Sequence, residues 1–209
     1  RYLNNGYDSR FDANQTPITF AADDPAQPPV LERWVTHPRT FTAPVTTNAQ
    51  GYAYVLDGLT FDFTEELGKN LVNRRYQDLA PGSAIIQMRT AQDALVRNCD
   101  VTGNLPVSSD GGRPFSTVTG IDTSTTATRV RIEGCSVHNV ESCYGMQCDG
   151  GQLVNCEGRD FHGDFISSNG QFRNGLVANN HCSSPGSNPP FRHPDWFQVN
   201  AGHGPLTNI

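Results

Sequence analysis

Apolar and polar positions alternate in short runs through the second half of the chain. The runs are LVRNCDVTG (95–103), VRIEGCSVHN (130–139), GQLVNCEGRD (151–160) and GLVANNHCSS (175–184). Each has an apolar pair or alternation, then Asn or Gly, then Cys, Asn or His. A period of two predicts a short strand with alternate residues buried. YVLDGLTFDF (54–63) reads as an earlier copy, with Gly58 in the place of Cys99, and PLTNI (205–209) starts a further one. The marker positions Gly58, Cys99, Cys135, Cys156 and Asn180 step by 41, 36, 21 and 24 residues.

A strand of about five residues cannot bury itself alone, but copies stacked about 4.8 Å apart form a parallel ladder in which like residues align. The repeats therefore predict an all-β, right-handed parallel β-helix in one domain over 1–209. Cys99, Cys135 and Cys156 should form an interior column. The short intervals are bare coils, and the long ones carry loops at 64–84 and 104–120, the first with a short helix over 64–76. TPITFAADD (16–24) reads as a strand and turn, and PPVLERWV (28–35) as the next strand. A β-sandwich would need closely spaced hairpins, and a leucine-rich repeat a regular Leu skeleton; neither is present.

Composition supports many strands and turns. Hydrophobic residues make up 36% and charged residues 17%, while Gly occurs 20 times. The formal charge of -6, with Lys69 as the sole Lys, argues against nucleic acid as the main partner. No apolar run reaches the ~18 residues that membrane insertion needs. The chain opens on RYLNNGYDSRF and closes on GPLTNI, and reads as a fragment of a longer chain. The six Cys read mainly as small buried thiols, with a Cys143–Cys148 disulfide as the alternative. A metal site is the weakest reading, since no CxxC or HxxxH spacing occurs.

The candidate chemistry lies in two segments. HGDFIS (162–167) aligns with HPDWFQ (193–198), placing His162 on His193, Asp164 on Asp195, Ile166 on Phe197 and Ser167 on Gln198. YGMQCDGG (144–151) reads as the matching region one coil earlier, without the His-x-Asp pair. Stacked carboxylates cannot both ionise freely, and imidazoles beside them can carry protons. His162, Asp164, His193 and Asp195 are thus candidate catalytic groups. Arg173 and Arg192 are candidates to offset substrate charge, with Arg159 near them. Trp196 offers a flat face to a sugar ring, and Gln198 completes the binding set. A base and a cation are what elimination from a uronic acid needs, and two carboxylates are what hydrolysis needs. Asp164 and Asp195 read equally as turn-holding residues, or as hard oxygen ligands suited to Ca²⁺. Trp196 reads alternatively as coil-edge packing. His181 and His203 read as loop or surface residues.

PITFAADDPAQPPVLERW, YVLDGLTFDFT, the HGDFIS region and HPDWFQ, in that order, resemble a group of bacterial right-handed parallel β-helix repeat proteins. The resemblance covers roughly 16–209 and is most specific at His193, Pro194, Asp195 and Gln198, an HPD-x-x-Q signature. Trp196 stands where that group commonly has an aliphatic residue. The group is similar in architecture to pectate lyases and mannuronan epimerases, and similar β-helices serve as spikes on phage or phage-like particles. The resemblance implies a protein acting on an acidic polysaccharide, as a lyase or epimerase. The alternatives are a non-catalytic polysaccharide-binding spike and a structural coil stack. It also implies an extracellular, cell-surface or virion location and an assembly that covers the open ends of the coil, such as a homo-oligomer.

Overall fold

A computed structural model describes residues 18–31, 34–35, 54–62, 84–88, 91–103, 119–123, 125–161, 163–168, 172–183 and 195–199. Among these there is no helix, and the strands form three parallel sheets of six. The chain visits the sheets in rotation. The first sheet holds β1 (Ile18–Ala21), β4 (Tyr54–Asp57), β7 (Leu95–Arg97), β10 (Arg131–Glu133), β13 (Gln152–Val154) and β16 (Leu176–Ala178). The second holds β2 (Val30–Leu31), β5 (Thr60–Asp62), β8 (Asp100–Thr102), β11 (Ser136–His138), β14 (Glu157–Arg159) and β17 (His181–Ser183). The third holds β3 (Trp34–Val35), β6 (Ala84–Met88), β9 (Thr119–Thr123), β12 (Ser142–Met146), β15 (Ile166–Ser168) and β18 (Phe197–Val199). Every pairing is parallel and in register, so the fold is a right-handed parallel β-helix, with six coils among the described residues.

The corners explain the recurrent Asn and Gly. Gly58, Asn98, Gly134, Asn155 and Asn179 all have φ between 54° and 63°, and they stack where the first sheet turns into the second. Only Gly, and Asn at modest cost, enters this left-handed region readily. The residue after the corner returns inward. Leu59, Cys99, Cys135, Cys156 and Asn180 therefore form the next column. Leu59, not Gly58, is the counterpart of Cys99: the corner glycine aligns with Asn98.

The three stacked thiols each reach a carbonyl one coil back. Cys99 Sγ lies 3.8 Å from Leu56 O, Cys135 Sγ 3.6 Å from Val96 O and Cys156 Sγ 3.7 Å from Ile132 O. Asn180 continues the pattern with a stronger donor: its Nδ2 donates to Leu153 O at 2.9 Å, and its Oδ1 accepts from Cys156 N at 2.8 Å. Cys and Asn thus do the same job in this column. All six cysteines are unbridged, five of them buried, so the thiol reading holds and the Cys143–Cys148 disulfide does not form.

The core is a set of such columns. Leu56, Val96, Ile132 and Leu153 are fully buried in the first sheet, and Ile86, Ile121, Tyr144 and Ile166 in the third. A side chain missing from one column is replaced from another. A Cβ at Gly158 would lie 2.4 Å from the Phe165 ring and 2.8 Å from Cys143 Sγ, which fill that space from the third sheet.

Several element boundaries differ from expectation. PPVLERWV forms two short strands, β2 and β3, because the chain turns from the second sheet to the third within it. β6 begins at Ala84 and β9 at Thr119, so the stretches read as loops end in strand. The helix expected over 64–76 lies outside the described residues.

Candidate functional site

The third sheet carries the candidate site, because its strands position both aligned segments. Ile166 pairs with Phe197 and Ser167 with Gln198. Phe165 N donates to Asp195 O at 2.8 Å, extending the ladder so that Asp164 and Asp195 occupy equivalent places on adjacent coils. Adjacent strands lie about 4.8 Å apart. One coil back the counterpart of Asp164 is Ser142, whose Oγ lies 3.5 Å from Asp164 N. The segment beneath HGDFIS is therefore centred on β12 and precedes most of 144–151. His162, His193 and Arg192 lie outside the described residues.

Trp196 takes a particular place. It follows Phe165 in a column whose earlier members include Ile85 and Cys143, all fully buried. Its ring centroid is 5.7 Å from that of Phe165, which in turn meets Tyr144 edge-on at 5.4 Å. Trp196 nonetheless remains 50% exposed, just ahead of the outermost described strand of the third sheet. It is a coil-edge aromatic with one face on the core. Phe197 also packs against the core, and the backbone bends at Trp196.

The remaining cations predicted for the site sit elsewhere. Arg173 pairs with Asp149 through the backbone, as an isolated parallel β-bridge at the corner between the third and first sheets, beyond the far end of β15 from Asp164. Arg159 ends β14 on the second sheet, with its guanidinium 3.3 Å from Asp160. His181 opens strand β17 instead of lying in a loop, and it is exposed.

Sheltered polar groups show what sequence reasoning missed. Buried polar side chains among the described residues are Gln87, Asp122, Thr123, His138, Ser142, Asp164 and Ser168. All but His138 are on the third sheet. Gln87, Asp122, Gly145, Ser167 and Gln198 form one column across five coils. In it the Asp122 carboxylate settles over the bare α-carbon of Gly145: a Cβ there would lie 2.2 Å from Asp122 Oδ1. Gln147 Nε2 donates to the same oxygen at 3.2 Å, and Gln147 N donates to Thr123 Oγ1 at 2.9 Å. Asp122 and Gly145 belong to segments with little sequence likeness, so only the register pairs them. Polar groups are rarely sheltered without purpose, since each loses hydration.

The buried neighbours of this strip are chemically quiet. Burial pushes the Cys143 thiol and the Tyr144 phenol well above their ordinary values, so both stay neutral. Tyr144 Oη shares its proton between the carbonyls of Cys135 (3.0 Å) and Glu157 (2.8 Å), tying the third sheet to the second. No group of three or more His, Cys, Asp or Glu among the described residues is arranged to hold a metal ion. The sheet can offer carboxylates, amides and hydroxyls to a ligand. No family model, curated protein or solved structure matches this chain, so the reading of the site rests on its own geometry.

Proposed function

We propose that the third sheet handles a polysaccharide, with Asp164 and Asp195 exchanging protons with an acidic sugar chain as a lyase or C5-epimerase does. The observation that carries the reading is a sheltered polar strip of two neighbouring columns on the third sheet: Gln87 and Asp122, continued in register by Gln198, and Ser142 and Asp164, continued by Asp195. A strand ladder repeating every ~4.8 Å suits a polymer, because successive units meet successive coils. A base near a C5 proton begins either elimination or epimerisation, and a proton carrier on the next coil can return the proton in the latter. Trp196, half exposed at the end of the strip, offers an apolar face to a ring. Such a substrate accords with an extracellular, cell-surface or virion setting and with the family resemblance of the HPD-x-x-Q segment.

Asp164→Asn and Asp195→Asn, assayed on polygalacturonate, alginate and capsular polymers, test the reading. The readouts are unsaturated-uronate absorbance and C5 proton exchange. Loss of roughly 10²- to 10⁴-fold in rate is expected for a proton-transfer group. Full activity of both variants beside a reacting wild type ends the proposal.

A second reading is a non-catalytic polysaccharide-binding spike, for which the half-exposed face of Trp196 at the outer strand of the third sheet is enough. It predicts saturable binding with neither new double bonds nor proton exchange.

A further inference from the structure

A second concavity lies around the corner from the strip, where the third sheet turns into the first. A hollow of about 590 Å³ runs along the helix axis there. One wall is the outward column Leu95, Arg131 and Gln152 of the first sheet. The other is the corner column Asp93, Arg129, Gly150 and Asn174, all with φ between 49° and 69°. A smaller hollow of about 250 Å³ shares Arg129, Gly150 and Asn174 and extends the groove toward Thr128 and Asp149.

Gly150 opens the groove. A Cβ at this position would lie 3.0 Å from Arg129 Cγ, narrowing the gap at its centre. On either side the walls are braced. Arg129 Nη2 donates to Asp93 Oδ2 at 2.7 Å, and Asn174 Nδ2 donates to Asp149 Oδ1 at 2.9 Å. Arg131 donates through Nε to Glu133 at 2.9 Å and through Nη1 to Gln152 at 2.7 Å, leaving its remaining N–H groups facing the groove or solvent.

From this we infer that the groove is a binding site for a short neutral oligosaccharide, separate from the strip on the third sheet. Charge decides against an ionic ligand: Arg129 and Arg131 are balanced by Asp93 and Asp149 within the lining. Each guanidinium is also already engaged with a carboxylate. Shape and chemistry favour sugar hydroxyls. Planar guanidinium and amide groups, fixed by their mutual bonds, present parallel donors and acceptors to neighbouring hydroxyls at little ordering cost. Leu95 and Gly150 supply a narrow apolar floor for C–H faces. The volume lies within the range of small-ligand sites. Four coils, each ~4.8 Å from the next, span about 14 Å, the length of a short oligosaccharide.

The test is a titration of the ¹⁵N-labelled protein with maltotriose, cellotriose, laminaritriose, mannotriose and trigalacturonate, following backbone amides. At least one neutral trisaccharide should produce saturable shifts at residues 93–95, 129–131, 150–152 and 174. Gln152→Ala, and Asn174→Gly, which keeps the left-handed backbone, should each weaken that binding roughly 2- to 10-fold, the worth of one hydrogen bond. Asp195→Asn and Trp196→Ala should leave it unchanged, so failure here and failure of the third-sheet reading are distinguishable. The inference is overturned if no neutral trisaccharide saturates these amides, if trigalacturonate alone does so, or if both groove variants bind as tightly as the wild type.

Discussion

The outer faces of the first and third sheets are built from the same kind of coil yet treat polar groups in opposite ways. On the first sheet charges are paired at the surface, Arg97 with Asp57 between coils at 2.7 Å and Arg131 with Glu133 within one strand at 2.9 Å. At the adjoining corner Arg129 meets Asp93, each side chain about half exposed. On the third sheet Gln87, Asp122 and Asp164 are each less than a tenth exposed. Exposed pairs are well hydrated and contribute little to stability. Sheltered carboxylates and amides give up hydration, so they point to a site. The two faces differ in how polar groups are kept, not in how many there are.

The sharpest way to break this comparison is at Asp122. Asp122→Asn should lower turnover of any polysaccharide substrate by at least ~10²-fold if the sheltered strip acts as a unit. Asp93→Asn, on the exposed face, should leave turnover unchanged. Equal effects of the two would show that shelter does not mark the site.

Packing comes next in size. Gly158→Ala should destabilise by about 1–3 kcal/mol in urea unfolding, because the new methyl meets the Phe165 ring and Cys143 Sγ. The corner sets a smaller effect. Asn155→Ala should cost about 1–2 kcal/mol, since φ is 55° there, whereas Asn155→Gly should be close to neutral. Equal losses in both would mean that the Asn side chain, not the backbone angle, holds the corner.

The smallest effect is the pH dependence of the charged faces. The Arg129 guanidinium holds the Asp93 carboxyl below its ordinary value, and Arg97 does the same for Asp57. On the second sheet the hydrogen bond from His138 holds down Asp100. A depressed carboxyl pKa stabilises the fold above the unfolded value, about 3.9, and that contribution is lost as pH falls through the lower folded value. Acid unfolding of Asp93→Asn should therefore be shallower than that of the wild type below about pH 4. At neutral pH the same variant should lose less than about 1 kcal/mol, the usual worth of an exposed pair.

The coil stack was legible in the chain because its rules are local. An alternation of apolar residues, an Asn or Gly for the left-handed corner and an inward residue after it recur at the first-to-second-sheet corner of the five coils from β4 to β17. The one-residue error at Gly58 arose because Leu59 replaces Cys in the inward column, and Gly carries the corner signal more plainly than Leu carries the interior one. The alignment of Asp164 with Asp195 was also legible, since both sit at fixed distances ahead of recognisable strands. The meeting of Asp122 with Gly145 was not. It joins residues 23 apart whose flanking sequences share no motif, and nothing in either segment announces the other.

The amino-acid order alone determined the architecture, the stacked thiols and the pairing of 164–167 with 195–198. Each follows from short-range periodicity and from which residues tolerate a positive φ. Only the tertiary structure decided which polar groups are sheltered, why Trp196 rests on Phe165, and where the corner groove opens. Those properties depend on what lies across a coil or beside it, and the number of residues between successive coils varies too much for sequence spacing to reveal it.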